Sequence, residues 1–422
     1  MTPKRRPPSF EQPPADPRPP SKPSPAGLSP AAWSPAASSS ADDSAVRSAE
    51  LADLIRAEIE AAPDGRITFA RFMERALYEL RLGYYCQRAD RPTDTGDFLT
   101  APETHPIFGR TIARRVEEMW ANLGRPSPFD LIEYGAGSGT LGLSILDGLR
   151  RHGADDLLHS IRYEPVESNP YRLADLHRRF QKDGLADRLA SSSPDGSAGG
   201  TASEEPVPVT GVILANEFLD ALPVHRVVVR GDKLLELFVV WRDRFAEVVA
   251  EPSTPELAAR LADDGIEPGQ MAEGQVAEIC LGLAPWLDEV AARLARGFVL
   301  VIDYGYEAAE LYGPRRLAGS LLGYRSHRVV DDPFADVGLT DLTAHVDFTA
   351  LELLAERRGF VSAGLTTQQE FLLAAGLESE LRALQASPEL TLTDYTRARS
   401  GIVRMLDPRH MGRFRVLTLG RG

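Results

Sequence analysis

Cysteine, long apolar runs and positive charge are all scarce in this 422-residue chain, and each shortage excludes a class of protein. Cys86 and Cys280 are its two cysteines, so neither a disulfide framework nor a cysteine-rich zinc site can form, and we expect two reduced structural thiols. No apolar run approaches the roughly 18 residues that a membrane helix needs, which predicts a soluble protein without membrane insertion. Lys and Arg number 47 against 61 Asp and Glu, a net charge of −14. This excess of negative charge argues against a general nucleic-acid binder.

Residues 1–47 differ in composition from the rest of the chain. The first 45 residues hold 12 of the 32 prolines and nine serines, with almost no aliphatic side chains. Such a segment cannot bury enough apolar surface to offset the entropy lost on ordering, so we predict a disordered tail. Because no apolar stretch follows the basic residues at 4–6, a secretory signal is not indicated. We expect a cytoplasmic protein, or one of the mitochondrial matrix if the source is eukaryotic.

Two further segments follow the tail. Residues 48–125 combine helix-spaced apolar residues with a polar loop, which predicts a helical segment and a lid. Residues 126–422 alternate short buried strands with helices of ten or more residues, which predicts an α/β fold with a mainly parallel sheet and helices on both faces. Insertions near 191–208 and 224–296 interrupt this alternation. The second begins with three strands whose connections are too short for crossovers, so we predict an antiparallel meander there.

A glycine turn between a buried strand and a helix is the most informative segment. Gly135, Gly137 and Gly139 follow Glu133 at alternate positions. Glycines in such a turn let a ligand approach the backbone closely, and the helix that follows offers unpaired N–H groups. Two ligand classes use this geometry. The pattern G-x-G-x-x-G is the dinucleotide fingerprint, and E-x-G-x-G-x-G resembles the first motif of class I S-adenosylmethionine methyltransferases.

Two acidic residues bear on the choice between these ligands. Glu133 would be repelled by a pyrophosphate, whereas it suits a ligand that carries an ammonium and a sulfonium. Glu167 ends the next strand, where a carboxylate can accept hydrogen bonds from ribose hydroxyls, and both ligand classes predict it. We therefore favour S-adenosyl-L-methionine as the cofactor, and keep a nicotinamide-dependent oxidoreductase as an alternative.

Several ordered strings across most of residues 65–418 carry a family resemblance. They include Gly83-Tyr84-Tyr85, Thr100-Ala101-Pro102-Glu103, Val166-Glu167-Ser168, Asn216-Glu217-Phe218-Leu219-Asp220-Ala221-Leu222-Pro223 and Ile302-Asp303-Tyr304-Gly305. With the glycine turn, these strings resemble the MidA-like family, a bacterial and mitochondrial group related to the complex I assembly-factor protein arginine methyltransferase. The resemblance implies a class I methyltransferase (Rossmann-like) fold whose last strand is antiparallel, with S-adenosyl-L-methionine as cofactor. It also implies a protein acceptor, with arginine side chains of a respiratory-complex subunit as the specific candidate.

The glycine turn departs from the family pattern at two positions. Ala136 and Ser138 stand where the family usually has proline and arginine. Main-chain groups carry the cofactor contact at such a turn, so we expect cofactor binding to tolerate the change. The missing arginine bears more on how the substrate is handled.

The acceptor side of the reaction requires alignment, exclusion of water and, for a guanidinium, carboxylates that hold it and accept its proton. Asn216 and Glu217 lie at the carboxyl end of a parallel strand, the edge where open α/β sheets bind ligands. We expect Glu217 to hold or deprotonate the acceptor, while Asn216 and Asp220 shape the pocket. A helix-capping role is the alternative for Asp220.

A loop before the glycine turn is expected to close over the cofactor, with Asp97 and Thr100 as its contact residues. A set of histidines and acids further along could suggest a metal: His327, Asp341, His345 and Asp347. Their spacing is more typical of a hydrogen-bonded loop network, so we predict no metal. An assembly or scaffold protein that binds the cofactor with little turnover is the second hypothesis, and a blocked channel beside Glu217 would favour it. The sequence does not predict an oligomeric state.

Overall fold

The computed structural model describes residues 36–87, 100–190, 207–325, 328–386 and 391–422. The strands are β1 Ile67–Thr68, β2 Phe129–Tyr134, β3 Ile161–Val166, β4 Val209–Asn216, β5 His225–Arg230, β6 Lys233–Trp241, β7 Phe245–Ala250, β8 Val276–Ile279, β9 Leu294–Asp303, β10 Gly305–Tyr306, β11 Leu322–Arg325, β12 Arg328–Val330, β13 Asp341–Thr343, β14 Val346–Asp347, β15 Val361–Thr367 and β16 Arg415–Arg421. The helices are α1 Ala36–Ala61, α2 Phe69–Tyr78, α3 Ala101–Thr104, α4 Ile107–Asn122, α5 Thr140–His152, α6 Asp155–Ser160, α7 Pro170–Lys182, α8 Glu256–Asp263, α9 Leu283–Arg293, α10 Ala308–Leu311, α11 Phe348–Glu356, α12 Gln368–Ala374, α13 Leu377–Gln385 and α14 Leu392–Leu406.

A six-stranded sheet forms the centre of the molecule. Its strand order is β15-β16-β9-β4-β2-β3, and β3, β2, β4 and β9 run parallel to one another. Strand β16 is antiparallel to β9, and β15 is antiparallel to β16. The predicted α/β class, its mainly parallel sheet and its antiparallel last strand are confirmed.

Alternate side chains of one strand enter two separate cores. Leu131 of β2 packs in a cluster formed with α4, α5 and α7, which includes Phe108 and Phe180. Ile132, the next residue, lies in the opposite cluster with Trp286 of α9 and Leu351 of α11. Because successive strand residues point to opposite faces, β2 supplies both cores. The faces of the sheet are therefore covered, and a ligand can reach it at the carboxyl edge of its parallel strands.

A second, antiparallel sheet has the order β1-β6-β5-β8, with β7 paired to β6. The meander of β5, β6 and β7 matches the prediction. Strand β8 was not predicted, because four residues give too short a pattern to separate a strand from a loop. The sheet packs against α1 and α2 through a cluster that contains Leu51, Ile55, Phe72 and Val239. The N-terminal helices thus pack against the inserted meander.

Helix α1 begins at Ala36, within the segment whose composition predicts disorder through residue 47. Pro35 is the last proline of that segment, and the alanines that follow it have a high helix propensity. Residues 36–47 of the predicted tail are therefore helical. Residues 1–35, and residues 191–206 of the predicted insertion, lie outside the described residues. No helix in the described parts of the chain is both long and apolar enough to span a bilayer.

Candidate functional site

A cavity of about 620 Å³ lies at the carboxyl edge of the parallel strands. It collects most of the residues that the sequence singled out: Thr100, Glu133, Gly135, Gly137, Glu167, Asn216, Glu217 and Asp220 all line it. Gly139 does not line the cavity and packs against Leu176, and Asp97 lies outside the described residues. Segments far apart in the chain therefore meet at the predicted edge of the sheet, as the topology of an open α/β fold requires.

The three glycines of the turn all adopt left-handed backbone conformations, but they serve different purposes. A Cβ on Gly139 would lie 2.7 Å from Cγ of Leu176, so this glycine lets the turn pack against α7. A Cβ on Gly135 would lie 3.0 Å from the Phe218 ring. At Gly137, with φ +55°, the nearest atom to such a Cβ is 4.0 Å away, so this glycine faces the cavity. Of the three glycines, Gly137 is the position where a side chain would enter the cavity.

Backbone N–H groups of the glycine turn and of the start of α7 hold the Glu167 carboxylate. Its Oε2 accepts a hydrogen bond from the Gly137 N–H at 2.8 Å, and its Oε1 accepts one from the Asn169 N–H at 2.7 Å. Each carboxylate oxygen can accept a further hydrogen bond. The side chain is thus held in one orientation while keeping acceptor capacity toward the cavity, which is the arrangement expected for a ribose-binding carboxylate.

Glu133 has a structural partner that the sequence did not reveal. It is buried, and its Oε2 accepts a hydrogen bond from the Tyr163 hydroxyl at 2.7 Å. Burial raises the pKa of this carboxyl to about 7, against the opposing effect of the Tyr163 hydrogen bond. Glu133 therefore joins β2 to β3 beneath the turn as well as lining the cavity.

Arg179 of α7 places a cation against the glycine turn. Its guanidinium donates to the Ser138 carbonyl at 2.8 Å, to Ser138 Oγ at 2.7 Å and to Thr140 Oγ1 at 2.9 Å. These hydrogen bonds connect α7 to the start of α5. Arg179 was not a predicted site residue, because a contact across 41 residues leaves no local signal in the sequence.

Glu217 is held in a strained conformation at the end of β4. Its φ is +49°, a left-handed value that costs a non-glycine residue roughly 1–2 kcal/mol. Its Oε1 accepts hydrogen bonds from the Ala101 N–H at 3.0 Å and from Asn216 Nδ2 at 3.4 Å. Its Oε2 is buried and has no hydrogen-bond partner among the described residues. Strain together with an unpaired buried oxygen is typical of a functional residue.

Asp220 and Asp303 are neighbours with separate roles. Asp303 is fully buried, and its Oδ2 accepts the N–H groups of Phe218, Leu219 and Asp220 at 3.2, 2.9 and 3.3 Å. It therefore holds the turn after β4. Asp220 accepts a hydrogen bond from the Tyr304 hydroxyl at one oxygen, while its buried Oδ1 has no partner in the described structure.

Burial raises the pKa of Glu217, Asp220 and Asp303. It raises the pKa of Glu217 to about 8, an effect that the nearby Asp220 charge increases, and it raises the pKa of Asp220 to about 6. The pKa of Asp303 is also raised by burial, and then by the charges of Asp220 and Glu217. Burial at this site therefore favours the protonated form of each carboxyl more than exposure to water would.

Aromatic side chains from the N-terminal segment form the opposite wall of the cavity. The rings of Tyr78 and Tyr85 stack with centroids 5.6 Å apart, and the Tyr85 hydroxyl donates to Asp341 Oδ1 at 2.7 Å. Asn169 Nδ2 donates to the Tyr85 carbonyl at 2.7 Å, which ties this wall to the start of α7. Neither Tyr78 nor Asn169 was a predicted site residue.

The residues considered for a metal site serve different structures. Asp347 Oδ1 caps α11 by accepting the Ala350 N–H at 3.0 Å, and the ring of His345 packs edge-on against Tyr304. His327 lies outside the described residues. No group of three or more potential metal ligands is found within the described ranges. The absence of a metal stays a prediction.

Comparisons with known proteins agree with this geometry. A family model described as "Putative S-adenosyl-L-methionine-dependent methyltransferase" matches residues 111–366. The Drosophila melanogaster "Protein arginine methyltransferase NDUFAF7 homolog, mitochondrial" is 29% identical over 392 residues, covering 88% of this chain and 85% of the relative. The Homo sapiens protein arginine methyltransferase NDUFAF7 is 28% identical, with 76% and 72% coverage. A crystal structure from Burkholderia thailandensis, bound to S-adenosyl-homocysteine, is 32% identical with a TM-score of 0.75, covering 90% of this chain and 94% of that chain.

Proposed function

The chain belongs to this family of S-adenosyl-L-methionine-dependent methyltransferases, and on that premise we propose that it methylates arginine side chains of a protein acceptor. The acceptor guanidinium would lie at the end of the cavity that contains Glu217 and Asp220. The relatives named as protein arginine methyltransferases support the acceptor class. The respiratory-complex subunit implied by the family resemblance, and a cytoplasmic location, are parts of the same proposal.

The residues of the cavity fit the cofactor. When bound, S-adenosyl-L-methionine supplies a methyl group on a positively charged sulfur. Glu167 offers acceptor capacity for ribose hydroxyls, and Gly137 leaves the backbone accessible. A cavity of about 620 Å³ is within the usual range for small-molecule sites. Because Glu217 lines this cavity, these features also support turnover over a scaffold role.

The observation that carries the proposal is the pair of unsatisfied carboxyl oxygens. Glu217 Oε2 and Asp220 Oδ1 are both buried and without a partner among the described residues. Leaving such groups unpaired costs roughly 1–3 kcal/mol each, so a ligand that donates to both gains that energy. A guanidinium has five N–H donors in one plane and a permanent charge, which matches two acidic acceptors.

Proton transfer fits the same two residues. Methylation of a guanidinium nitrogen requires the loss of one N–H proton, and the free acceptor side chain releases a proton only above pH 12. A carboxyl whose pKa is raised, as burial raises that of Glu217 to about 8, is a stronger base than an ordinary glutamate once it is ionised. Glu217 can accept the proton as the new bond forms, while Asp220 keeps the guanidinium oriented.

The aromatic wall suits a flat cation. The stacked rings of Tyr78 and Tyr85 line the same cavity as the acids, and Tyr304 adds a third ring beside Asp220. Aromatic faces attract cations and favour planar groups. The net charge of −14 also favours a basic protein partner over an acidic one.

The experiment that tests the proposal is methyl labelling followed by product identification. The full chain is incubated with methyl-labelled S-adenosyl-L-methionine and a lysate from a strain that lacks the gene, and labelled proteins are hydrolysed. Recovery of methylarginine, absent with Glu217→Gln, supports the proposal. Label in another amino acid or in a small molecule would reject the arginine acceptor, and binding without label would favour the scaffold hypothesis.

A further inference from the structure

We propose that Arg172 binds the carboxylate of the cofactor's methionine moiety. The inference extends the family's cofactor to a residue of this chain, and it does not depend on which acceptor is methylated. S-adenosyl-L-methionine and S-adenosyl-homocysteine each carry one anionic group, this carboxylate. A cation in the cavity wall is therefore required, or the group must be held by neutral donors alone.

The charge distribution of the cavity leaves one candidate. Its described wall contains seven acids, namely Glu103, Glu133, Glu167, Glu217, Asp220, Glu289 and Asp341. Arg172 is the one Lys, Arg or His among the described residues that line it. Arg172 therefore marks the end of the cavity where a carboxylate is favoured.

The backbone of Arg172 is held by a hydrogen bond, whereas its guanidinium can still bind a ligand. It lies in the first turn of α7, where its backbone N–H donates to Asn169 Oδ1 at 3.3 Å. The guanidinium carbon is 5.9 Å from the centre of the Tyr85 ring. In the described structure the guanidinium has no hydrogen bond or ion pair, although it is half-buried. None of its five donors is used by another described residue, so a ligand can accept from them.

The two other arginines of α7 make contacts that Arg172 does not make. One guanidinium nitrogen of Arg179 donates to Ser138 and Thr140, so Arg179 supports the turn. Arg178 is exposed and pairs with Asp175 at 3.0 Å on the outer face. The three arginines therefore divide into a structural residue, a surface residue and one directed to the cavity. This division provides matched variants on a single helix.

Calorimetry with two ligands tests the assignment. The probes are S-adenosyl-homocysteine, which has the carboxylate, and 5′-methylthioadenosine, which lacks the amino-acid group. Arg172→Ala should weaken S-adenosyl-homocysteine binding roughly 10- to 100-fold, the usual loss for a hydrogen bond to a charged group, and leave 5′-methylthioadenosine within about twofold. Arg172→Lys should recover part of the loss, because it keeps the charge without the fork.

The controls separate a ligand contact from a structural role. Arg178→Ala should leave the affinities for S-adenosyl-homocysteine and 5′-methylthioadenosine unchanged. Arg179→Ala should weaken the binding of both ligands, because it removes hydrogen bonds that support the turn. Thermal unfolding of each variant without ligand reports whether the fold is intact. An equal loss of both ligands in Arg172→Ala, or no loss of S-adenosyl-homocysteine affinity, would overturn the proposal. Either result is independent of whether methylarginine is formed.

Discussion

The backbone N–H of Ala101 donates a hydrogen bond to Oε1 of Glu217 at 3.0 Å, across 116 residues of sequence. Ala101 is the first residue of α3, where the N–H groups have no partner within the helix. The short helix that follows the predicted lid loop thereby holds the side chain that we propose as the proton acceptor. The orientation of Glu217 therefore depends on this helix being in place.

Glu217→Gln should slow methyl transfer by about 100-fold or more and leave cofactor affinity within about twofold. The amide keeps the size of the side chain and can still accept from Ala101, but it cannot take a proton. Single-turnover rates with an arginine peptide and calorimetry with S-adenosyl-homocysteine measure the two effects. Glu118→Gln, on the exposed face of α4, is the control. Wild-type rates in Glu217→Gln would remove this residue from catalysis.

The stability of the free protein should decrease between pH 5 and pH 9 in a way that Glu217→Gln reduces. Burial raises the pKa of Glu217 from 4.5 to about 8, so the folded protein retains a proton that the unfolded chain has lost over this interval. The contribution is therefore fully present below pH 4.5 and is lost as the pH rises through 8. Thermal unfolding midpoints of both proteins, measured from pH 5 to pH 9, check this. A difference independent of pH would mean that Glu217 is ionised throughout.

Gly137→Val should abolish cofactor binding, because the new side chain would occupy the space next to the turn. Gly65→Val is a matched control: Gly65 has φ +62°, close to the +55° of Gly137, and a Cβ at either position meets no atom closer than 4.0 Å. Both variants carry the same backbone penalty, so both should lose stability. Only Gly137→Val should lose calorimetric binding of S-adenosyl-homocysteine. Retained binding would place the ligand elsewhere.

Glu167→Ala should weaken cofactor binding by roughly 1–3 kcal/mol, because a charged hydrogen-bond acceptor is lost. Part of this loss comes from the turn itself, since the Gly137 and Asn169 N–H groups lose their acceptor. Glu167→Gln keeps one acceptor oxygen, so its cofactor affinity should lie between that of the wild type and that of Glu167→Ala. Titration of both variants with S-adenosyl-homocysteine gives the series. Unchanged affinity in Glu167→Ala would show that the ribose does not contact this residue.

Local patterns were sufficient for the fold class, the edge of the sheet that holds the cavity, and the turn that contains Gly137. Strand and helix periodicities are properties of short segments, and a left-handed turn requires glycine wherever it occurs. The strings that contain Glu167 and Glu217 predict their position at strand ends for the same reason. Even within this local signal the three glycines looked equivalent, and packing against Leu176 separates Gly139 from Gly137.

The electrostatic character of the site arose from contacts between distant segments. Ala101 donates to one carboxyl oxygen of Glu217, and the nearby Asp220 charge adds to the rise in the pKa of Glu217 that burial causes. Asp220 in turn accepts from Tyr304, which lies between β9 and β10. Arg179 supports the turn from a neighbouring helix, while Arg172, seven residues earlier, stays open to the cavity. Burial and pairing depend on which segments meet in three dimensions. A residue's type sets what it can donate or accept, and its folded neighbours decide whether that capacity is used or left for a ligand.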